Sequence, residues 1–419
     1  MAGRLTASGA DATVSAYEPL DLATVEGYLD GRPAWRSLLP DGPLTVTEVG
    51  DGNLNLVFIV RSAAEPERSG LVLKQSLPWV RVFGAGWPLT VERAVHEAHA
   101  YERYGAFEHE TLPTFHGFDA EQYVLAIEDL SGLRVWRAAL NDGEIHPGAA
   151  AALGRFVARL AFWTSDVGTP AEERKRQQAA AINPELCRIT EDLVFTEPYF
   201  EHEHNHHAPA LDGLVQEVRA DARLREEVSV LKHAFLTRGE ALIHGDLHTG
   251  SVMVGGGRTA VIDPEFAFYG PVAFDLGALW ANAAIAFVRA DRLDRPAAFR
   301  EHVAAILPDS WAAFTDELRR LWPSRVDRSL DDAFRERWTA SIARDAIGFA
   351  GVKAMRRMIG FAHVSDIETL DEPRRSSAAG AVIAIARRLI RERDALATPA
   401  AAWQVVVAET AAPTRGLAF

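Results

Sequence analysis

The chain has 419 residues, 48% of them hydrophobic and 24% charged, a globular composition that is too long for one core and so predicts two lobes. Its 44 basic against 58 acidic side chains leave a formal charge of −14, which argues against a general nucleic-acid or anionic-membrane surface and makes any anionic substrate depend on local cations. Cys187 is the single cysteine, so an internal disulfide or cysteine metal cluster is excluded, and with no signal-peptide pattern and no apolar run long enough to span a membrane the expected location is cytoplasmic.

Residues 1–17 are small and polar and are expected as a loose tail. Residues 18–38 carry helical spacing around Leu20, Leu22, Val25, Tyr28 and Leu29. A strand-rich region follows, with alternation over Leu44–Val49, a turn at Asp51-Gly52-Asn53, alternation again over Leu54–Val60, and a further strand at Leu71–Lys74. Val91–Tyr104 reads as a helix, and Thr114–Phe118 and Tyr123–Ile127 as strands. Beyond about residue 148 helices dominate, and the segments 291–296 and 323–332 read as charged loops between them. Sheet first and helices second predicts an α+β fold with a small β-rich N-terminal lobe, 18–130, and a larger helical C-terminal lobe, 131–398. The remainder, 399–419, is a C-terminal extension to which no function attaches.

The chemistry concentrates in HGDLHTGS, His244–Ser251, which follows the apolar run Ala241–Ile243 and precedes Val252–Val254. About a dozen residues on, Ala260–Ile262 leads into Asp263-Pro264-Glu265. Two short strands that each deliver acidic residues to their ends are the layout of phosphoryl transfer, one Asp taking the acceptor's proton and the next carboxylates holding magnesium. Asp246 is the candidate base, with His244 and His248 as partners that fix the loop. Asp263 and Glu265, two residues apart, fall on one side if the backbone there is extended, so that one cation meets both. Lys74 shares a strand face with Val72 and suits the α/β-phosphates of ATP, with Glu97, or second Glu92, as its anchor. Upstream, the hairpin holding Gly52, Asn53 and Asn55 can bring backbone N–H groups over the phosphates. Glu128, Asp129 and Leu130 end the last strand of the small lobe, where the backbone can meet the adenine edge. Arg356 and Arg357 diverge by roughly 100° on a helix, so one fork can reach a phosphate or sugar hydroxyl while the other pairs within the lobe. Leu77–Trp87, with Trp79, is either a flap over the site or core. The run Glu201–His207 (EHEHNHH) is expected to be a solvated loop, no second layer of partners being visible for a metal.

Taken together these residues resemble the 5-methylthioribose kinases, small-molecule kinases of the two-lobed protein-kinase-like fold. The resemblance rests on DGNLN at 51–55, LKQSLPWVRV at 73–82, WPLT at 87–90, HGDLHTGS at 244–251, DPEFAFYGP at 263–271, FDLG at 274–277 and RRMIGFAHV at 356–364, and covers about 18–395. HGDLH alone fits the wider aminoglycoside phosphotransferase and choline kinase group. The resemblance implies phosphorylation of the 1-hydroxyl of 5-methylthioribose with ATP and Mg2+, a step of methionine salvage, in a homodimer. It implies Asp246 as base, Asp263 and Glu265 on magnesium, Lys74 on the nucleotide, and Arg356 and Arg357 at substrate and transferring phosphate, with Trp79 closing the sugar site. Where the wider group has a second metal ligand, Asn, this chain has Ser251. The same fold acting on another hydroxyl compound (an aminoglycoside, a choline-like alcohol or another pentose) is the alternative.

Overall fold

The computed structural model describes residues 17–50, 54–68, 70–81 and 84–412. The chain divides into two compact units, one made of Met1–Val95 with Phe115–Asp129, the other of His96–Thr114 with Leu130–Phe419.

The first unit is built on a five-stranded antiparallel sheet, in the order Leu44–Glu48, Asn55–Ser62, Leu71–Ser76, Val124–Glu128, Phe115–Asp119. Strand alternation sorts its residues by face. Phe58, Val60, Leu71, Leu73, Val124 and Ala126 join Leu20, Val25, Leu29 and Trp35 of the preceding helical segment in one core. Gln75 stitches that segment to the sheet, its Oε1 accepting from Leu20 N at 2.7 Å and its Nε2 donating to Glu18 O at 3.0 Å. Every residue of Leu71–Ser76 is buried, and strands pair with both of its edges. The strands expected between residues 44 and 127 and the helix expected at Val91–Tyr104 are present with ends shifted by a residue or two, whereas the helical segment expected over 18–38 starts only at Val25, as Val25–Asp30 and Pro33–Arg36.

The second unit is helical around two small β-ribbons. Ala241–Ile243 pairs with Phe268–Gly270, and Val252–Gly255 lies between Arg258–Val261 and Arg134–Val135. Ala149–Trp163 packs along Ala297–Leu321, and Ala273–Arg292 along Asp332–Ile359, which in turn meets Arg374–Leu396. Small residues let the second pair approach closely: a Cβ on Gly277 would lie 2.5 Å from the Phe349 Cβ. Ala273–Arg292 is long and apolar enough to cross a membrane by length and composition, yet it is buried in the fold as a core helix. The extension beyond 398 forms a further helix, Pro399–Ala411, whose Trp403 packs edge-on against Phe287.

Candidate active site

The loop His244–Ser251 is held by its own side chains and by the core helix behind it. Gly245 takes a φ of +83°, and a Cβ there would meet the Phe266 carbonyl oxygen at 2.2 Å, so only glycine fits. Asp275, fully buried near the start of Ala273–Arg292, accepts from the backbone of His244 at 2.7 Å and of Gly245 at 3.0 Å. Burial pushes its carboxyl above the ordinary range against these donors. The His244 ring approaches Ile262 O through Nε2 at 2.9 Å; a carbonyl only accepts, so Nε2 carries the proton and Nδ1 receives the Asp246 N–H at 3.3 Å. This one imidazole therefore locks the loop to the strand that leads into Asp263. His248 Nδ1 accepts from Gly250 N at 3.1 Å and has Ser251 Oγ at 3.0 Å, while Nε2 faces Asp246 Oδ2 at 3.4 Å. Burial pushes His248 well below its ordinary range, so it is neutral at pH 7 and turns an N–H toward that carboxylate. The Ser251 hydroxyl also donates to Asp246 O at 3.1 Å, which places it within the loop's own bonding.

Asp246 meets a partner that the sequence reading missed. Lys353 Nζ lies 2.7 Å from Asp246 Oδ1 and 4.6 Å from the centre of the Phe274 ring. Burial works against the Asp246 charge, but Lys353 first, with Arg356 and Arg357 behind it, outweighs it and holds the carboxyl well below its ordinary range. Burial pushes the Lys353 ammonium down in turn. Lys353 sits one turn before Arg356 and Arg357 in the last stretch of Asp332–Ile359, as expected for the arginine pair, which is partly exposed at the helix end. Arg357 Nη1 donates to Ala362 O at 3.2 Å. A fourth cation, Arg137, donates to Asn282 Oδ1 at 3.0 Å, approaches Asp366 at 3.3 Å, and adds to the field at both His248 and Arg357. Lys353, Arg356 and Arg357 thus set positive charge around Asp246, with Arg137 beside His248 and Arg357, the local field that an acidic chain needs to hold a phosphate. A lone lysine within the apolar run Gly348–Met355 was the signal available in the sequence: a charge there is tolerated only if a carboxylate meets it.

Around Asp263 the geometry differs from expectation. The backbone is not extended; Asp263 adopts the left-handed region at φ +61°, ψ +50°, and Pro264–Phe266 turns into a 3-10 helix. Asp tolerates that region, and Pro264 starts the turn with its φ already set. Asp263 N donates to the Tyr101 hydroxyl oxygen at 3.3 Å, with Asp263 partly exposed and Glu265 buried.

The remaining expected residues, Glu97 apart, lie in the first unit or at its end. Lys74 is buried at 3% exposure in the central strand, opposite Val57 and Leu125, on the face away from Leu71 and Leu73. Glu97 is buried too, in the second unit. Asn55 is buried, its Oδ1 accepting from Ser76 Oγ at 3.2 Å and Arg93 Nη2 at 3.3 Å. Gly52 and Asn53 lie outside the described residues. Asp129 accepts from Arg61 Nε at 2.7 Å and Gly70 N at 3.2 Å, beside Glu128 at the strand end and Leu130, the first residue of the second unit in that stretch. Trp79 opens a short ribbon, Trp79–Val80 with Gly84–Pro88, and packs against the core of the first unit.

Residues 45–314 match the model of the phosphotransferase enzyme family. The methylthioribose kinase of Geobacillus thermodenitrificans (strain NG80-2) is 39% identical over 391 residues, 91% of this chain and 95% of the relative. That of Yersinia pseudotuberculosis serotype O:3 (strain YPIII) is 40% identical over 339 residues, 80% of this chain and 83% of the relative. Among solved structures, choline kinase from Cryptosporidium parvum Iowa II matches at a TM-score of 0.50 and 10% identity, over 91% of this chain and 99% of that one, a likeness of fold.

Proposed function

From the family we infer the reaction: this chain belongs to the phosphotransferase enzyme family and, within it, to the methylthioribose kinases, and we propose that it transfers the γ-phosphoryl group of ATP to the 1-hydroxyl of 5-methylthioribose. The observation that carries the reading is the loop carboxylate Asp246 among Lys353, Arg356 and Arg357. In this reading Oδ1 stays on Lys353, and Oδ2, which has the longer 3.4 Å approach of His248, accepts the hydrogen bond of the sugar hydroxyl. A carboxylate held so acidic is a weak base. It orients the hydroxyl first and takes the proton late, once the oxygen is bonding to phosphorus and has become strongly acidic. Arg356 and Arg357 spread over the charge of the transferring phosphoryl group, where planar forks suit its oxygens.

Asp263 and Glu265 offer the hard oxygen donors that magnesium takes and would hold it, bound there to neutralise the nucleotide phosphates. Ser251, tied into the loop, is left out of the metal set. We assign Lys74 to the α/β-phosphates, the hairpin with Gly52, Asn53 and Asn55 to the same nucleotide, Glu128–Leu130 to its adenine, and Trp79 to the sugar. Homodimeric assembly and a cytoplasmic location are proposed on the family's account.

The test is ADP release from Mg·ATP with 5-methylthioribose beside ribose, choline and kanamycin. Turnover confined to 5-methylthioribose supports the reading. Turnover with another of the four instead moves the specificity and overturns it.

A further inference from the structure

The histidine-rich run 201–207 does more than loop through solvent. The sequence run itself lacks a buried anchor, but the fold supplies one from just upstream. Glu197, in the 3-10 turn Glu197–Tyr199, has a side chain only 8% exposed, and two imidazoles converge on its carboxylate. His204 Nδ1 lies 3.1 Å from Oε1 and His202 Nδ1 lies 3.6 Å from Oε2. The three ligand atoms all fall within 4.8 Å of one another.

We propose that Glu197, His202 and His204 form a binding site for one zinc-class divalent ion, separate from the magnesium site of the phosphoryl-transfer centre. Donors at about 2.0–2.1 Å from a tetrahedral ion stand about 3.3–3.4 Å apart, and the two carboxylate–imidazole separations bracket that value. His202 Nδ1 accepts the backbone N–H of His204 at 3.3 Å, so it carries no proton, and an ion at this position would take over the lone pair that the amide now uses. Two nitrogens and one carboxylate oxygen are a donor set that zinc accepts, leaving one position for water, whereas magnesium wants oxygens throughout.

The ligands are held as a metal site requires. Asn205 closes a turn on His202 O at 3.1 Å, and its amide donates to Glu197 O at 2.7 Å and Phe200 O at 2.8 Å. The same loop is fastened to the end of the helix that carries the arginine pair. His206 N donates to Ile359 O at 3.0 Å, His363 Nε2 meets His206 O at 2.8 Å, and the His204 ring packs on Phe361 at 5.8 Å between centres. Glu197 is also among the charges acting on Arg356. An ion on Glu197 would therefore both fix the loop and release Arg356 from a competing carboxylate.

Chelator-stripped, full-length protein is titrated with Co2+ in excess Mg2+, reading the visible d–d bands, and then with Zn2+ against a chromophoric chelator. The expected result is one ion per chain in the wild type and in His207→Ala, with the site lost in His202→Ala and in His204→Ala. Both histidines are partly exposed, so these variants should stay folded, which circular dichroism checks. The proposal is overturned if neither ion competes with the chelator, or if binding survives the His202→Ala/His204→Ala double variant, since the ion then sits elsewhere.

Discussion

At the scale of single residues, the account turns on a carboxylate kept ionised by its neighbours. Asp246 and the pair Arg356 and Arg357 were legible in the sequence because motif and spacing name them. Lys353 was not, because its partner lies 107 positions away and only the packing of two helices brings them together. Replacing Lys353 with Met should move the acid limb of the kcat/KM–pH profile to higher pH. The sign follows from the shift: the Asp246 carboxyl is held well below its ordinary range, its stabilisation is present above the unfolded value and is lost as pH falls through the folded one, and removing Lys353 raises that folded value. The same substitution leaves a partly buried carboxylate without its nearest cation and should lower stability in urea unfolding at pH 7, by less than the ~3 kcal/mol of a fully buried pair. An unmoved acid limb would separate Lys353 from the chemistry. For the arginines, Arg356→Ala/Arg357→Ala should lower kcat by about 10³–10⁵, the range of arginines that stabilise transferring phosphoryl groups. A loss of only a few-fold would remove them from the transferring phosphate.

At the scale of elements, alternation located the strands of the first unit and the helix after them, while beyond residue 148 it gave only that helices dominate, and the structure adds what periodicity does not carry. The loop's rigidity comes from Ala273–Arg292, through Asp275 under His244 and Gly245, and through Asn282, which accepts from both Thr249 and Arg137. In the sequence, Asp275 and Asn282 read as interruptions of an apolar stretch; in the fold they are the polar groups that the loop's donors require. The turn at Asp263 was illegible for a different reason. A residue before proline favours the extended region, which is what the sequence suggested, and the fold sets Asp263 in the left-handed region against that preference. Close packing gives a prediction of its own. Gly277→Ala places a methyl group 2.5 Å from the Phe349 Cβ and 3.0 Å from Ala346 O, so the helix bearing Lys353 must shift. Overpacking of that kind costs about 1–3 kcal/mol, seen as a lower Tm, and activity should fall with it because Lys353 moves relative to Asp246. An unchanged Tm would mean that the two helices separate freely at that point.

For the whole molecule, the net charge of −14 and the cationic site belong together. The chain repels anions in general and sets Lys353, Arg356 and Arg357 locally around one carboxylate, with Arg137 next to them. Composition showed the first half of that statement; the second needed the fold, since Arg137 and Lys353 are separated by more than half of the chain. The family, shown by relatives near 40% identity, agrees with what the motifs at 244–251, 263–271 and 356–364 implied. The measurement that bears most directly on the account is turnover of 5-methylthioribose and Mg·ATP by Asp246→Asn, with binding of both substrates followed by calorimetry. The account predicts that both still bind while kcat falls by about 10²–10⁴, the usual contribution of a positioned acid or base. A kcat within a few-fold of the wild type would contradict it, and the proton would have to leave by another route.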